Sequence, residues 1–161
     1  MTIKGKVLIN MDISKLNGKV ADAMLNSGWD KNRKHYADEA IDRLVEMGFE
    51  LNEYAEEILK ELGGINFKFR ENDVTENRFF YCDIAFDPVS FAENDRIGPC
   101  YVFAKETMFP IGGMHDYTVY AGESHKIYLA DWKNIAIVGN DIEDFLNNMC
   151  DRNYVINEYS L

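Results

Sequence analysis

The sequence predicts an α+β fold in which helices come first, a mainly antiparallel sheet follows and one helix closes the chain. Three observations carry that prediction. Apolar residues recur at three- and four-residue steps between Val20 and Leu62; they alternate with polar ones from Ile65 to Phe86 and again after Tyr117; and helical spacing returns at Ile142. Helices and strands are thus grouped rather than interleaved as βαβ units, which points to an antiparallel sheet covered on one side. With 161 residues, 47% of them hydrophobic, and 10 Phe, 9 Tyr and 2 Trp to fill a core, the chain fits a single domain spanning 1–161.

The elements follow in order. Val20, Met24 and Leu25 predict a short helix over Lys19–Ser27 stopped by Gly28, and the Trp29 ring anchors its end to the core. Tyr36, Ala37, Ala40, Ile41, Leu44 and Met47 form an amphipathic stripe that ends at Gly48. Asn52 caps a third helix carrying Tyr54, Ala55, Ile58, Leu59 and Leu62, and Gly63-Gly64 supplies the left-handed backbone that stops it. Ile65, Phe67 and Phe69 then alternate as a strand, a polar loop runs from Glu71 to Arg78, and Phe80, Cys82, Ile84 and Phe86 alternate as a second strand ended by Asp87-Pro88. Pro99 opens a helical segment to Thr107; Pro110 with Gly112-Gly113 reads as a rigid turn. Tyr117–Ala121 and Lys126–Leu129 form a hairpin around Gly122-Glu123-Ser124, and Ile135–Val138 is a further strand. In the last helix Asn140 caps, Glu143 completes a capping box, and Ile142, Phe145, Leu146 and Met149 face inward.

Charge is concentrated. The formal net charge is −11; residues 35–62 hold −7 of it, residues 139–161 hold −4, and the remainder balances at 14 acids and 14 bases. Such a chain is soluble and a poor ligand for nucleic acid, whose phosphates need excess Lys and Arg. No apolar run approaches the ~18 residues of a membrane span, and the start lacks a signal peptide's apolar stretch and cleavage site, so the expected location is cytoplasmic. Cys82, Cys100 and Cys150 follow no metal-binding rhythm and read as core thiols in a reducing compartment.

Catalytic patterns are missing. His35, His115 and His125 lie far apart outside any HxH or HExxH layout, and Met114-His115-Asp116 has no nucleophile turn beside it. Pro110-Ile111-Gly112-Gly113 lacks the phosphate-loop layout and its lysine. Asp141-Ile142-Glu143-Asp144 lacks the alternating ligands of a calcium loop and suits a helix start. No catalytic, metal or cofactor residue is assigned.

Several short motifs nevertheless fall in a recognisable order. Leu25-Asn26-Ser27-Gly28-Trp29 with Arg33, Met47-Gly48-Phe49, Ile58 through Ile65 with the Gly63-Gly64 junction, Phe86-Asp87-Pro88, Met108 through Gly112 and Gly139 through Glu143 together resemble the SUKH immunity-protein superfamily, most closely its third subgroup. The likeness covers about 20–150 and leaves out 1–19 and 151–161; the segments 73–77 and 92–100 depart from it. Its motif positions Trp29, Arg33, Gly63, Gly64, Pro110 and Gly112 read first as structural: core, helix stop and turn, with Arg33 stacked, paired with a buried carboxylate, or solvated. The resemblance implies a SUKH-like α+β domain that neutralises a cognate toxin of a bacterial competition system, often a nuclease, by occlusion without chemistry of its own.

On that reading the partner is a toxin with a basic surface, the chain is a monomer or weak homo-oligomer, and the toxin-facing acids are Glu53, Glu56, Glu57, Glu61, Asp141 and Asp144. The same acids also read as solvated helix faces. Two further functions stay open at this point: a small metal-dependent hydrolase using paired carboxylates, and a ligand- or protein-binding module unrelated to toxins.

Overall fold

A 3-10 turn, Ile13–Lys15, and three helices precede the first strand: α1 (Gly18–Asn26), α2 (Asp38–Glu46) and α3 (Glu53–Leu62). The computed structural model describes residues 11–73, 75, 78–92, 97–131, 134–152 and 157–158. The two departing segments, 73–77 and 92–100, therefore lie partly outside the described residues, as do residues 1–10 of the unmatched start. Asn52 caps α3 as expected, its side-chain oxygen accepting from the Ala55 amide at 2.8 Å. Gly64, at φ +83°, takes the left-handed backbone that ends the helix. α2 begins two residues later than its stripe suggested, because Tyr36 stands out of the core at 80% exposed. In α1, Met24 is buried but Leu25 is half exposed.

One sheet follows, β1 (Asn66–Asp73), β2 (Arg78–Ala85), β3 (Met108–Met114), β4 (Tyr117–Gly122), β5 (Ile127–Ala130), β6 (Asn134–Gly139) and the two-residue β7 (Asn157–Glu158). Neighbours are antiparallel and spatial order equals chain order. The fold is α+β, as the grouping of periods required. The short helix α4 (Pro88–Phe91) and α5 (Ile97–Ala104) lie between β2 and β3, and α6 (Ile142–Asp151) follows β6.

Four expectations change. Residues 71–73 and 78 belong to the β1–β2 ladder, so the polar loop is shorter than its polarity suggested; one face of this hairpin is solvated, and polar residues there are no mark of a loop. α5 ends at Ala104 rather than Thr107, with Pro99 in its first turn. Pro110, Gly112 and Gly113 lie inside the buried strand β3, not in a turn. β2 pairs with β3 only at Ala85–Gly113, leaving most of that edge of β3 without a ladder, and the register shifts between Pro110 and Gly112, so a residue without an N–H is accommodated. The glycines serve close approach: a Cβ on Gly112 would strike the Ala85 carbonyl, and one on Gly113 the Phe91 ring. Fourth, Asp141 rather than Asn140 caps α6, accepting from the Asp144 amide at 2.8 Å, while Asp144 accepts from the Asn140 amide at 2.9 Å. Glu143 is buried instead and accepts from the Asp12 amide at 2.8 Å.

The core is continuous. Phe67 and Phe69 point inward from β1 while Lys68 and Arg70 face solvent, so this hairpin is covered on one side. β3 and β5 are buried at every position, which means both faces are covered in the middle of the sheet. α3 packs on β3 and β4, α4 on the same two strands, and α6 on β6 and also β2, so the sheet curls around it. All three cysteines are buried, and no disulfide joins the described residues.

Candidate functional site

The motif residues at the start of the chain converge on the C-terminal end of α3. The Trp29 ring is buried, and its indole N–H donates to Glu61 Oε1 at 3.1 Å. The Met11 amide donates to both Glu61 oxygens at 2.9 Å. Among the described residues Arg33 neither stacks nor pairs with a carboxylate: its two terminal nitrogens donate to the carbonyls of Glu61 (2.6 Å) and Gly63 (2.7 Å). A forked cation thus satisfies helix-end carbonyls where the dipole is negative. The His35 amide donates to the Lys60 carbonyl at 2.6 Å, and its ring lies over the space where side chains on Gly63 and Gly64 would project.

A groove of about 680 Å3 opens beside this junction. Lys31, Arg33 and Lys34 line one part of it, and Glu57, Lys60 and Glu61 the α3 part. A smaller hollow of about 230 Å3 lies past His35, toward Phe86 and Pro88. The Gly64 amide donates to the Phe86 carbonyl at 2.9 Å, and Gly112 packs against Ala85 and Phe86. The six motif positions therefore form a structural chain from Trp29 through the end of α3 to the middle of the sheet.

The acids singled out by sequence divide. Glu53, at the first position of α3, is exposed and its carboxylate has no ion pair or hydrogen bond among the described residues. Glu56 pairs with Lys60 at 2.7 Å, one helical turn on. Glu57 and Glu61 line the groove, and Asp141 and Asp144 build the start of α6. The two acidic stretches meet at Tyr54. Its hydroxyl accepts from the Ile142 amide at 2.7 Å. Burial, then the charges of Glu143, Asp141 and Glu57, drive its phenol far above the ordinary range against the pull of that amide. The His125 ring stacks on Tyr54 at 4.1 Å and 8°.

Sequence reasoning missed three groups. Lys31-Asn32-Arg33-Lys34-His35 is a visible basic run whose position beside α3 needed the fold. Glu106 accepts from the Ser124 amide (2.8 Å) and hydroxyl (2.7 Å) and from the Tyr128 hydroxyl (2.7 Å). Burial pushes its carboxyl up, but these donors together hold it below the ordinary carboxylate range. Glu46 and Glu50 are exposed, and like Glu53 their carboxylates make no ion pair or hydrogen bond among the described residues.

Among the described residues no three His, Cys, Asp or Glu side chains gather as a metal ion requires. His115 packs edge-on against Tyr81, with no hydrogen bond to Asp116 among the described residues. No helix among the described residues is long and apolar enough to cross a membrane. What the surface offers is shape and charge: a groove with basic and acidic linings, and carboxylates facing water.

No curated protein and no solved structure matches the chain. The family described as SUKH-3 immunity protein matches residues 16–152, from the residue before α1's cap to the end of α6. That span contains all six motif positions and both ends of the Trp29–Glu61 junction, and it fixes the assignment: the chain belongs to the SUKH-3 immunity protein family.

Proposed function

We propose that this immunity protein works by binding alone, covering the active or substrate surface of a cognate bacterial toxin whose docking face is basic. The reading rests on one observation above others: the net charge of −11 is gathered into two stretches that come together where α3 meets the start of α6. A one-sign field of that kind steers an oppositely charged protein and raises its association rate. A nuclease is the natural target class, because a surface that holds phosphates is itself cationic. The toxin-facing set is Glu53, Glu56, Glu57 and Glu61 on α3 with Asp141 and Asp144 on α6. Of these, Glu53 carries the steering; Glu61 also holds Trp29 and Met11 in place. The protein acts in the cytoplasm, as a monomer or weak homo-oligomer, without cofactor or nucleic acid.

Co-expression with the toxin encoded beside its gene tests this. Growth rescue and a stable complex are expected, with association slowing as salt rises. Stoichiometric calorimetric binding of magnesium, manganese or zinc, together with turnover lost on replacing one carboxylate, would sink it in favour of a hydrolase.

A further inference from the structure

Among the described helices of eight or more residues, α5 stands apart in carrying no charge. Its eight residues, Ile97-Gly98-Pro99-Cys100-Tyr101-Val102-Phe103-Ala104, include no charge and no strongly polar side chain. A helix apolar all round belongs in a core or against another protein. Among its described side chains, Cys100 is fully inside, but Val102 is 78% exposed and Phe103 39% exposed. Tyr101 points to what lies beside it. Its hydroxyl is buried next to the Glu50 backbone without making a hydrogen bond of good geometry. α5 therefore flanks the loop between α2 and α3, where Leu51 is also exposed, with Val45 exposed one turn earlier on α2.

The charges around these side chains are mainly acidic, with Lys105, whose amide donates to the Tyr101 carbonyl at 2.8 Å, the base at the end of α5. Glu46, Glu50 and Glu53 alternate with Val45 and Leu51 along the chain, and no basic residue occurs between Arg43 and Lys60. Their carboxylates make no ion pair or hydrogen bond among the described residues, whereas Glu56 and Glu61 on the same acidic stretch are engaged. Apolar side chains with a charged rim match the anatomy of a protein interface. A second copy of this chain is a poor occupant, since it would bring its own acids against these.

We propose that the surface formed by α5 and the α2–α3 corner is where a basic protein partner docks, its apolar centre on Val102, Phe103 and Leu51 and its cations on Glu46, Glu50 and Glu53. The inference rests on the toxin-binding reading above and deepens it: the acidic field guides the toxin, and this corner is the surface it lands on.

The test uses the full-length chain and the purified toxin domain encoded beside its gene. Val102→Lys and Leu51→Lys replace exposed side chains, so melting temperature should hold, while affinity is expected to fall on the order of thirtyfold or more, as for central hot-spot residues. Glu50→Lys is expected to slow association at low salt, and Asp22→Lys on α1, the same charge change elsewhere, to leave affinity within about twofold. Hydrogen exchange on the wild-type complex should show protection at 45–53 and 97–104, which keeps the proposal testable if a variant misfolds. Wild-type binding with unchanged affinity in both lysine variants and no protection there overturns this surface and leaves the toxin reading standing. No wild-type binding overturns both. A wild-type dimer dissolved by Val102→Lys would assign the corner to a second copy and overturn the proposal.

Discussion

At the C-terminal end of α3 the Glu61 carboxylate holds the Met11 amide and the Trp29 indole; at its first position, Glu53 faces water without a hydrogen bond or ion pair among the described residues. Both are glutamates of one acidic stretch, two turns apart on one side of one helix. The difference is what the rest of the chain brings. Trp29 and Met11 arrive at Glu61 from 32 and 50 residues away in sequence, and none of the described residues arrives at the Glu53 carboxylate. An acidic helix is therefore not one object: part of its charge is a fastening and part is a field.

The sharpest way to break this comparison is to remove the fastening. Trp29→Ala empties a buried aromatic site at the junction and is expected to cost about 3–5 kcal/mol in urea unfolding; a loss below 1 kcal/mol would mean the junction is not part of the cooperative core. Glu61→Ala strands two donors and should cost about 1–3 kcal/mol, whereas Glu53→Ala should change stability by no more than about 0.5 kcal/mol. Equal effects would erase the distinction between the two glutamates. Arg33→Lys keeps the charge but loses the fork on Glu61 and Gly63, and a cost of about 1 kcal/mol is expected from the lost carbonyl bond.

A smaller effect extends the comparison to a third acid. The folded carboxyl of Glu106 sits below its ordinary value of 4.5, held there against burial by the Ser124 amide and hydroxyl and the Tyr128 hydroxyl. A depressed folded value means the unfolded chain takes up the proton first. The stability from Glu106 is complete above that ordinary value and fades as pH falls through the folded one. Glu106→Gln should flatten that part of the acid-unfolding profile.

The local signals of the fold were legible. Asn52 at the start of α3 and Gly64 at its end each do what residue type and position indicate, because capping and left-handed backbone are decided within a few residues. Gly63, at φ −52°, instead leaves room for the Leu59 carbonyl and the His35 ring. Trp29 and Phe49 are core, as their size and apolar character require. Pro110 and its two glycines were misleading, since a turn signature and a bulged strand under Phe91 share one composition; only the β2 ladder, reduced to the Ala85–Gly113 pair, separates them. The α6 cap sat one residue further on than the capping-box spacing indicated, because two adjacent residues, Asn140 and Asp141, both suit the position. At the candidate site, the concentration of charge could be read directly, but the division of the acids could not, since each engaged acid depends on a partner from another element. The exposed side of α5 was equally hidden: an apolar run reads as core until the fold leaves it uncovered.

The sheet's order has a consequence for how the molecule forms. Each strand pairs with the one made just before it. Four of the six pairs are joined by short loops, while α4 and α5 separate β2 from β3 and α6 separates β6 from β7, so most hairpins can zip locally, which favours rapid folding. The bonds from Asp12 to Glu143 and from Asn17 to Asn147 and Asp151 join positions 130 or more residues apart. These clasps can close only once α6 exists, so the segment around Asp12 and Asn17 is fastened after α6 has left the ribosome.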